Sequence, residues 1–443
     1  MRIKSLSIAG IAIVLFLQSS AASEIPAKPQ DHPIAIVGTT IHPVSGPIIE
    51  NGTILFDKGK ILAIGTHVDL PANVEKIDGQ GKDVYPGMID ARSSMGLVEI
   101  DAVRATNDIS ESGSINPNIR AEVAVNPESE IIPVTRANGV TLTVTLPDGG
   151  LLSGSAAVLE LDGWTWEELT FKAPVGMVVN WPQMTVNRAW WERRSEEDQK
   201  KATDKALNEL RVAFKEARAY LLAKRSEPEA GIPHHNTDLR WEALAPVLDG
   251  KIPALVNAEE IQQIQSSVAW AEQEHIRMIL MGGYDSWRAA ELLKAKNIPV
   301  ILNPVYRTPV RRWEPYDMPY TLPKKLFDAG VRFCIAGDGS ASNERNLPYH
   351  AAAAAAYGLP KEEALKAVTL YPAQILGISD RVGSLEVGKD ATLIVTNGDP
   401  LEIFTNVEKE FIEGKNIPLS SKHTRLYEKY KEKYYRLGKG KKE

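Results

Sequence analysis

Between Val84 and Leu370 the chain alternates short apolar runs with amphipathic segments, and this alternation restricts the fold more than any other feature of the 443 residues. The apolar runs predict strands over 84–89, 139–145, 175–180, 253–257, 277–281, 299–302 and 332–336. Stripes at helical spacing predict helices over 259–272, 286–296, 349–357 and 361–370. Strands separated by helices pair in parallel and need helices on the outside of the sheet, so the expected class is α/β, a TIM-like (β/α)8 barrel. Seven strands can be counted where eight are needed. Gly154 to Leu161 is either the missing strand or an inserted hairpin.

The two ends read differently. From Pro33 to Lys82, β segments are punctuated by Ser45-Gly46-Pro47, Asn51-Gly52 and Lys58-Gly59, which are hairpin turns. Past residue 382, Thr392-Leu393-Ile394-Val395 reads as another strand. At the extreme N-terminus, Arg2 and Lys4 precede an apolar run from Leu6 to Leu17 and the small residues Ser19 to Ser23, the layout of a secretory signal peptide. The run is shorter than the ~20 residues a spanning helix needs. The expectation is therefore export to the periplasm or the outside, with no membrane span after cleavage. Losing Arg2 and Lys4 takes the formal charge from -6 to -8, which excludes general nucleic-acid binding. The single cysteine, Cys334, lies in an apolar run without a disulfide partner and reads as a core thiol.

The expected division is a signal peptide at 1–22, a first β-sandwich part at 33–83, the barrel at 84–382, a second β-sandwich part at 383–415 and a basic helical tail at 416–443. A helical insertion near 195–225 carries Leu207, Leu210, Phe214, Ala217 and Leu221 on one stripe. Trp164, Trp166, Trp181, Trp190 and Trp191 precede it, read first as core and alternatively as a cleft wall or an oligomer surface. In the tail, Leu426, Tyr430, Tyr434 and Leu437 share a stripe expected to dock on the surface, with an anionic contact as the other reading.

The run Pro86-Gly87-Met88-Ile89-Asp90 resembles the first barrel strand of the amidohydrolase superfamily, whose pattern continues as x-His-x-His. Asn138 to Thr141, Asn346 to Ala351, Thr369 to Gly377 and the Gly-Ser-Leu-Glu-x-Gly-Lys-Asp-Ala run at Gly383 extend the resemblance over most of the chain, toward exported imidazolonepropionase-like amidohydrolases. The resemblance implies a barrel with a small β-sandwich domain built from both chain ends. It also implies hydrolysis of carbon-nitrogen bonds other than linear peptide bonds, in a cyclic amide or related small molecule. Relatives use zinc held by histidines and a final aspartate. Here Arg92 and Ser94 stand at the two histidine positions after Asp90, while Asn257 and Gly282 fall near two others. No metal and no other cofactor is therefore expected.

Asp338, after the last apolar strand, matches the family's aspartate, although a carboxylate there also caps turns. The catalytic candidates are Asp338 as base, Arg92 as carbonyl polariser paired with Asp338, and His350; Asn257, Ser94 and Asp285 are the candidate substrate contacts. His350 reads equally as a helix-start histidine, and the His234–His235 doublet reads as solvated surface. A second reading stays open, that of an inactive relative that binds a ligand or pairs with an active paralogue. Expected partners are a small molecule and a homo-oligomer or paralogue subunit.

Overall fold

A computed structural model describes residues 25–226 and 236–439. The expected signal peptide and the His234–His235 doublet lie outside them.

Eight strands form the central sheet: β6 (Met88–Ser93), β7 (Val140–Thr145), β8 (Leu152–Glu160), β9 (Thr170–Asn180), β10 (Ala254–Ala258), β11 (Met278–Gly282), β12 (Val300–Leu302) and β13 (Phe333–Ile335). They follow one another in chain order around a nearly closed barrel. Val175, Leu255, Ile279, Ile301 and Cys334 fill its interior, while Met177, Val256, Leu280 and Val300 face the covering helices. This inside-outside alternation on strands buried on both faces explains why they read as unbroken apolar runs. Cys334 is a buried free thiol, as expected.

The eighth strand is β8, and it departs from the regular barrel pattern. It pairs antiparallel with both β7 and β9, and the link from β8 to β9 carries only the short helix Trp166–Leu169. Gly154 to Leu161 is thus both the missing strand and part of a meander. No ladder joins β13 to β6. The seam is instead satisfied piecemeal: Ile89 donates its N–H to the Val368 carbonyl and Ile335 to that of Ala367. The Gly337 N–H donates to both carboxylate oxygens of Asp90, at 3.1 and 3.2 Å. One buried side chain therefore does part of the work a missing strand pair would do.

The helix Glu196–Ser226 forms where expected and buries Leu207, Leu210, Phe214, Ala217 and Leu221. Phe214 packs edge-to-face on Trp270, which also touches Trp181. Trp166 packs half-buried against the core, whereas Trp164, Trp190 and Trp191 are exposed, Trp190 by 91%. Trp164 lies on the link before β9, and Trp190 and Trp191 on the loop after it.

Both chain ends build the second sheet. It contains β1 (Ile34–Ile41), β2 (Ile49–Asp57), β3 (Lys60–Gly65), β4 (Glu75–Asp78), β5 (Asp83–Pro86), β14 (Leu393–Thr396), β15 (Val407–Ile412) and β16 (Lys415–Ile417). The N-terminal and C-terminal halves meet where β5 pairs antiparallel with β14. Three strands separate β2 from β15 in the sheet, yet the rings of Phe56 and Phe411 lie 5.0 Å apart. The sheet therefore curls so that its wings face each other over Ile36, Ile54 and Leu393, which gives the sandwich character.

The tail helix Lys422–Arg436 forms, capped by Ser421, but buries no residue. Leu426, Tyr430, Tyr434 and Leu437 are 40 to 56% exposed, so the expected docked stripe is not docked. Polar contacts such as Arg425 with Glu130 and Arg345 with His423 hold its start instead.

Candidate active site

A parallel barrel delivers its loops to the carboxyl ends of the strands, so that rim is where chemistry is sought. On β6, Asp90 is fully buried and accepts N–H groups from Arg92 and Gly337. Burial pushes its pKa up to about 7, against the pull of those N–H bonds and Arg92; the nearby Asp338 charge pushes the same way. Next to it, the Ser93 hydroxyl donates to Glu344, a second buried carboxyl held well above the usual range by burial and by the Asp90 charge. These two carboxyls are walled off. Asp338, by contrast, is exposed at the rim and accepts the Ser340 N–H at 2.9 Å and the Asn343 amide at 2.7 Å.

Arg92 does not pair with Asp338. Its Nη1 donates to the Asn303 carbonyl oxygen, and the Asn303 Nδ2 donates to Glu259. Arg92, Asn303 and Glu259 thus form a bar across the rim from β6 to β12 to the end of β10. The guanidinium also lies beside Gly339, where a Cβ would stand 3.4 Å from Nε. The preference for Asn303 has a physical reason. Asp338 already has two donors and open solvent, so it does not need the cation, whereas Arg92 is half-buried and can reach an amide oxygen that is itself polarised by Glu259.

The remaining candidates separate. Asn257 is half-buried and donates to Asn180 at 3.4 Å. Ser94 is buried, and its hydroxyl accepts the Ala341 N–H at 3.3 Å, which anchors the loop after β13. Asp285 does not face a ligand: it is fully buried, bound by both terminal nitrogens of Arg311 at 2.8 and 2.7 Å and by the Ile261 N–H. His350 is buried near the start of the helix Leu347–Ala356 and accepts the Tyr306 N–H at Nδ1, which leaves the proton on Nε2. Burial lowers its pKa to about 4, only partly opposed by Asp338, so the ring is neutral at ordinary pH. Asp338, His350, Tyr306 and Asn343 line one cleft of about 820 Å³.

The zinc chemistry of relatives does not fit these residues. Among the described residues no three His, Cys, Asp or Glu side chains gather as a metal site. The guanidinium of Arg92, near the end of β6, sits on the rim, and a side chain at Gly282 would meet Glu259 at 2.8 Å. Sequence reading missed Asn303, Glu259 and Glu344. The first two were findable, because each follows a barrel strand as closely as Asp338 does.

Residues 321–415 match the amidohydrolase family model. In sequence and fold the chain is similar to proteins of the amidohydrolase superfamily. It is 23% identical over 405 residues to the amidohydrolase tasK of Hapsidospora irregularis, covering 82% of this chain but 39% of that one, so it spans well under half of that relative. It is also 23% identical to the imidazolonepropionase of Brucella anthropi, over 79% of this chain and 87% of that one. The crystal structure of an amidohydrolase from Thermotoga maritima MSB8 superposes with a TM-score of 0.78 at 26% identity, covering 87% of this chain and 99% of that one. The amidohydrolase fold is thus present with its barrel and its two-ended sheet, around a rim of carboxamides and one guanidinium.

Proposed function

We propose that this protein hydrolyses carbon-nitrogen bonds in compact cyclic amides and does so without a resident divalent metal. The observation that carries the reading is the placement of Asp338. It is a rim carboxylate open to solvent, in a cleft with neutral His350, while Asp90 and Glu344 are sealed and Glu259 is engaged by Asn303 and the Tyr284 N–H. Asn180 and Asn257 on the neighbouring strands β9 and β10, with Asn303 just after β12, supply both donors and acceptors, which suits the N–H and C=O edge of an amide ring. Imidazolonepropionase, the name of one relative, indicates the same bond class.

In the reaction so proposed, Asp338 takes a proton from water as the oxygen adds to the amide carbon. Arg92 offers N–H groups beyond the one given to Asn303 to the carbonyl oxygen as negative charge develops there. The proton on Asp338 then passes to the leaving nitrogen, the C–N bond breaks, and the ring opens to a single product that carries both the new carboxylic acid and the freed nitrogen. General acid-base help of this kind is worth about 10²- to 10⁴-fold. The test is turnover of a panel of lactams, hydantoins and imidazolones by chelator-treated protein. Loss of about 10²-fold or more in Asp338→Asn with unchanged folding supports the reading; an unaffected rate, or no turnover of any member, refutes it.

A second reading, a ligand-binding relative or the partner of an active paralogue, is favoured by the Arg92–Asn303–Glu259 bar, which crosses the rim. Saturable binding of the same panel without turnover selects it. Export to the periplasm or beyond is part of the proposal, resting on Arg2, Lys4 and the apolar run to Leu17. The N-terminal sequence of the secreted protein checks it. Among the described residues no helix is long and apolar enough to cross a membrane.

A further inference from the structure

At the opposite end of the barrel, where the strands begin, the surface opens into a basin of about 920 Å³. Its floor is apolar and is made by strand beginnings such as Val175 and Ile279. Its lining carries five cations, Lys172, Lys251, Arg277, Lys296 and Arg332, and one carboxylate, Glu272. Glu272 is already paired with Lys296. Lys172 donates to the carbonyls of Leu376 and Gly377, Arg277 to that of Lys251 and Arg332 to that of Asn297. Lys251 reaches Asp249 only at 3.5 Å.

This concentration of positive charge runs against a chain whose formal charge is -6. Five like charges around one concavity repel one another, and the apolar floor lowers the local dielectric, which strengthens both that repulsion and any attraction to an anion. Carbonyl partners orient three of the side chains and leave their charge uncompensated. We infer that this basin is a binding site for a small anion carrying two or more phosphate or carboxylate groups, distinct from the chemistry at the carboxyl end of the barrel. An open concavity lined by several cations fits a compact multivalent anion better than a flat surface.

The experiment is isothermal titration of the full chain with inorganic pyrophosphate, with sodium chloride at matched ionic strength as the blank. The expected result is saturable one-to-one binding that weakens with added salt and falls about tenfold or more in Arg277→Gln/Arg332→Gln. Should that variant fail to fold, Lys251→Gln/Lys296→Gln, which removes two other cations of the same lining, gives the same comparison. Asp338→Asn should bind as the parent does, which separates this site from the rim chemistry. Absent or unsaturable binding, or equal affinity in the rim variants, overturns the inference. So does binding to phosphatidylglycerol vesicles with none to pyrophosphate, which would make the basin a membrane contact.

Discussion

Glu259 occupies the space that a side chain at position 282 would need: a Cβ on Gly282 would stand 2.8 Å from its Oε1, and Gly282 itself has φ of +91°. A histidine there would have to displace a carboxylate held by Asn303 and by the Tyr284 N–H, from a backbone conformation that side chains rarely adopt. Gly282→His is therefore expected to lose about 1–3 kcal/mol of stability. Urea denaturation with and without added zinc checks this. Zinc should recover none of the loss.

Asp90 makes stability depend on pH. Its folded pKa of about 7 lies above the ordinary value of 3.8, so the folded state binds the proton more tightly than the unfolded one. The contribution is complete at pH below 3.8 and is lost as pH rises toward 7, by about 4 kcal/mol. Glu160, Glu344 and Glu410 shift in the same direction, so the informative quantity is the difference between the parent and a variant. Asp90→Asn keeps an acceptor for the Gly337 and Arg92 N–H groups and cannot ionise. Its stability relative to the parent should rise between pH 4 and 7, as read by denaturation at each pH. A constant difference would contradict the assignment.

The segment from Asn303 to Asp317 is fastened over the rim by Arg311, which binds both oxygens of Asp285 and also Glu314, while the Tyr284 hydroxyl donates to Glu314 at 2.7 Å. Asp285 and Glu314 side chains are 1% and 4% exposed. Removing the cation strands buried charge, so Arg311→Met should cost about 3–5 kcal/mol. Adding Asp285→Asn should return part of it. Hydrogen exchange of residues 304–317 should accelerate in the single variant, and unchanged protection would count against the clasp.

The fold was legible where one pattern dictates one structure. The stripe Leu207, Leu210, Phe214, Ala217, Leu221 could only be the buried face of a helix, and the hairpin turns and the Gly383 run placed both ends in one sheet. The direction of β8 was not legible, because an apolar run looks the same whether it pairs parallel or antiparallel. At the site, the sequence located Asp338, Arg92 and His350 near the rim, but not who bonds whom. Arg92 had a choice between an exposed carboxylate and a half-buried amide, and only the burial of each decides such a choice. Asp285 misled for the same reason, since its partner Arg311 lies 26 residues away in a loop with no periodic signal.

The central proposal is that the chain works without a resident metal, with a hydrogen-bonded guanidinium, amide and carboxylate across the rim. Elemental analysis of protein purified without chelator tests it most directly, with zinc, iron and manganese counted per chain. The account predicts well under one equivalent of any of them, and no change in thermal midpoint after chelator dialysis. One or two equivalents retained through that dialysis would contradict it.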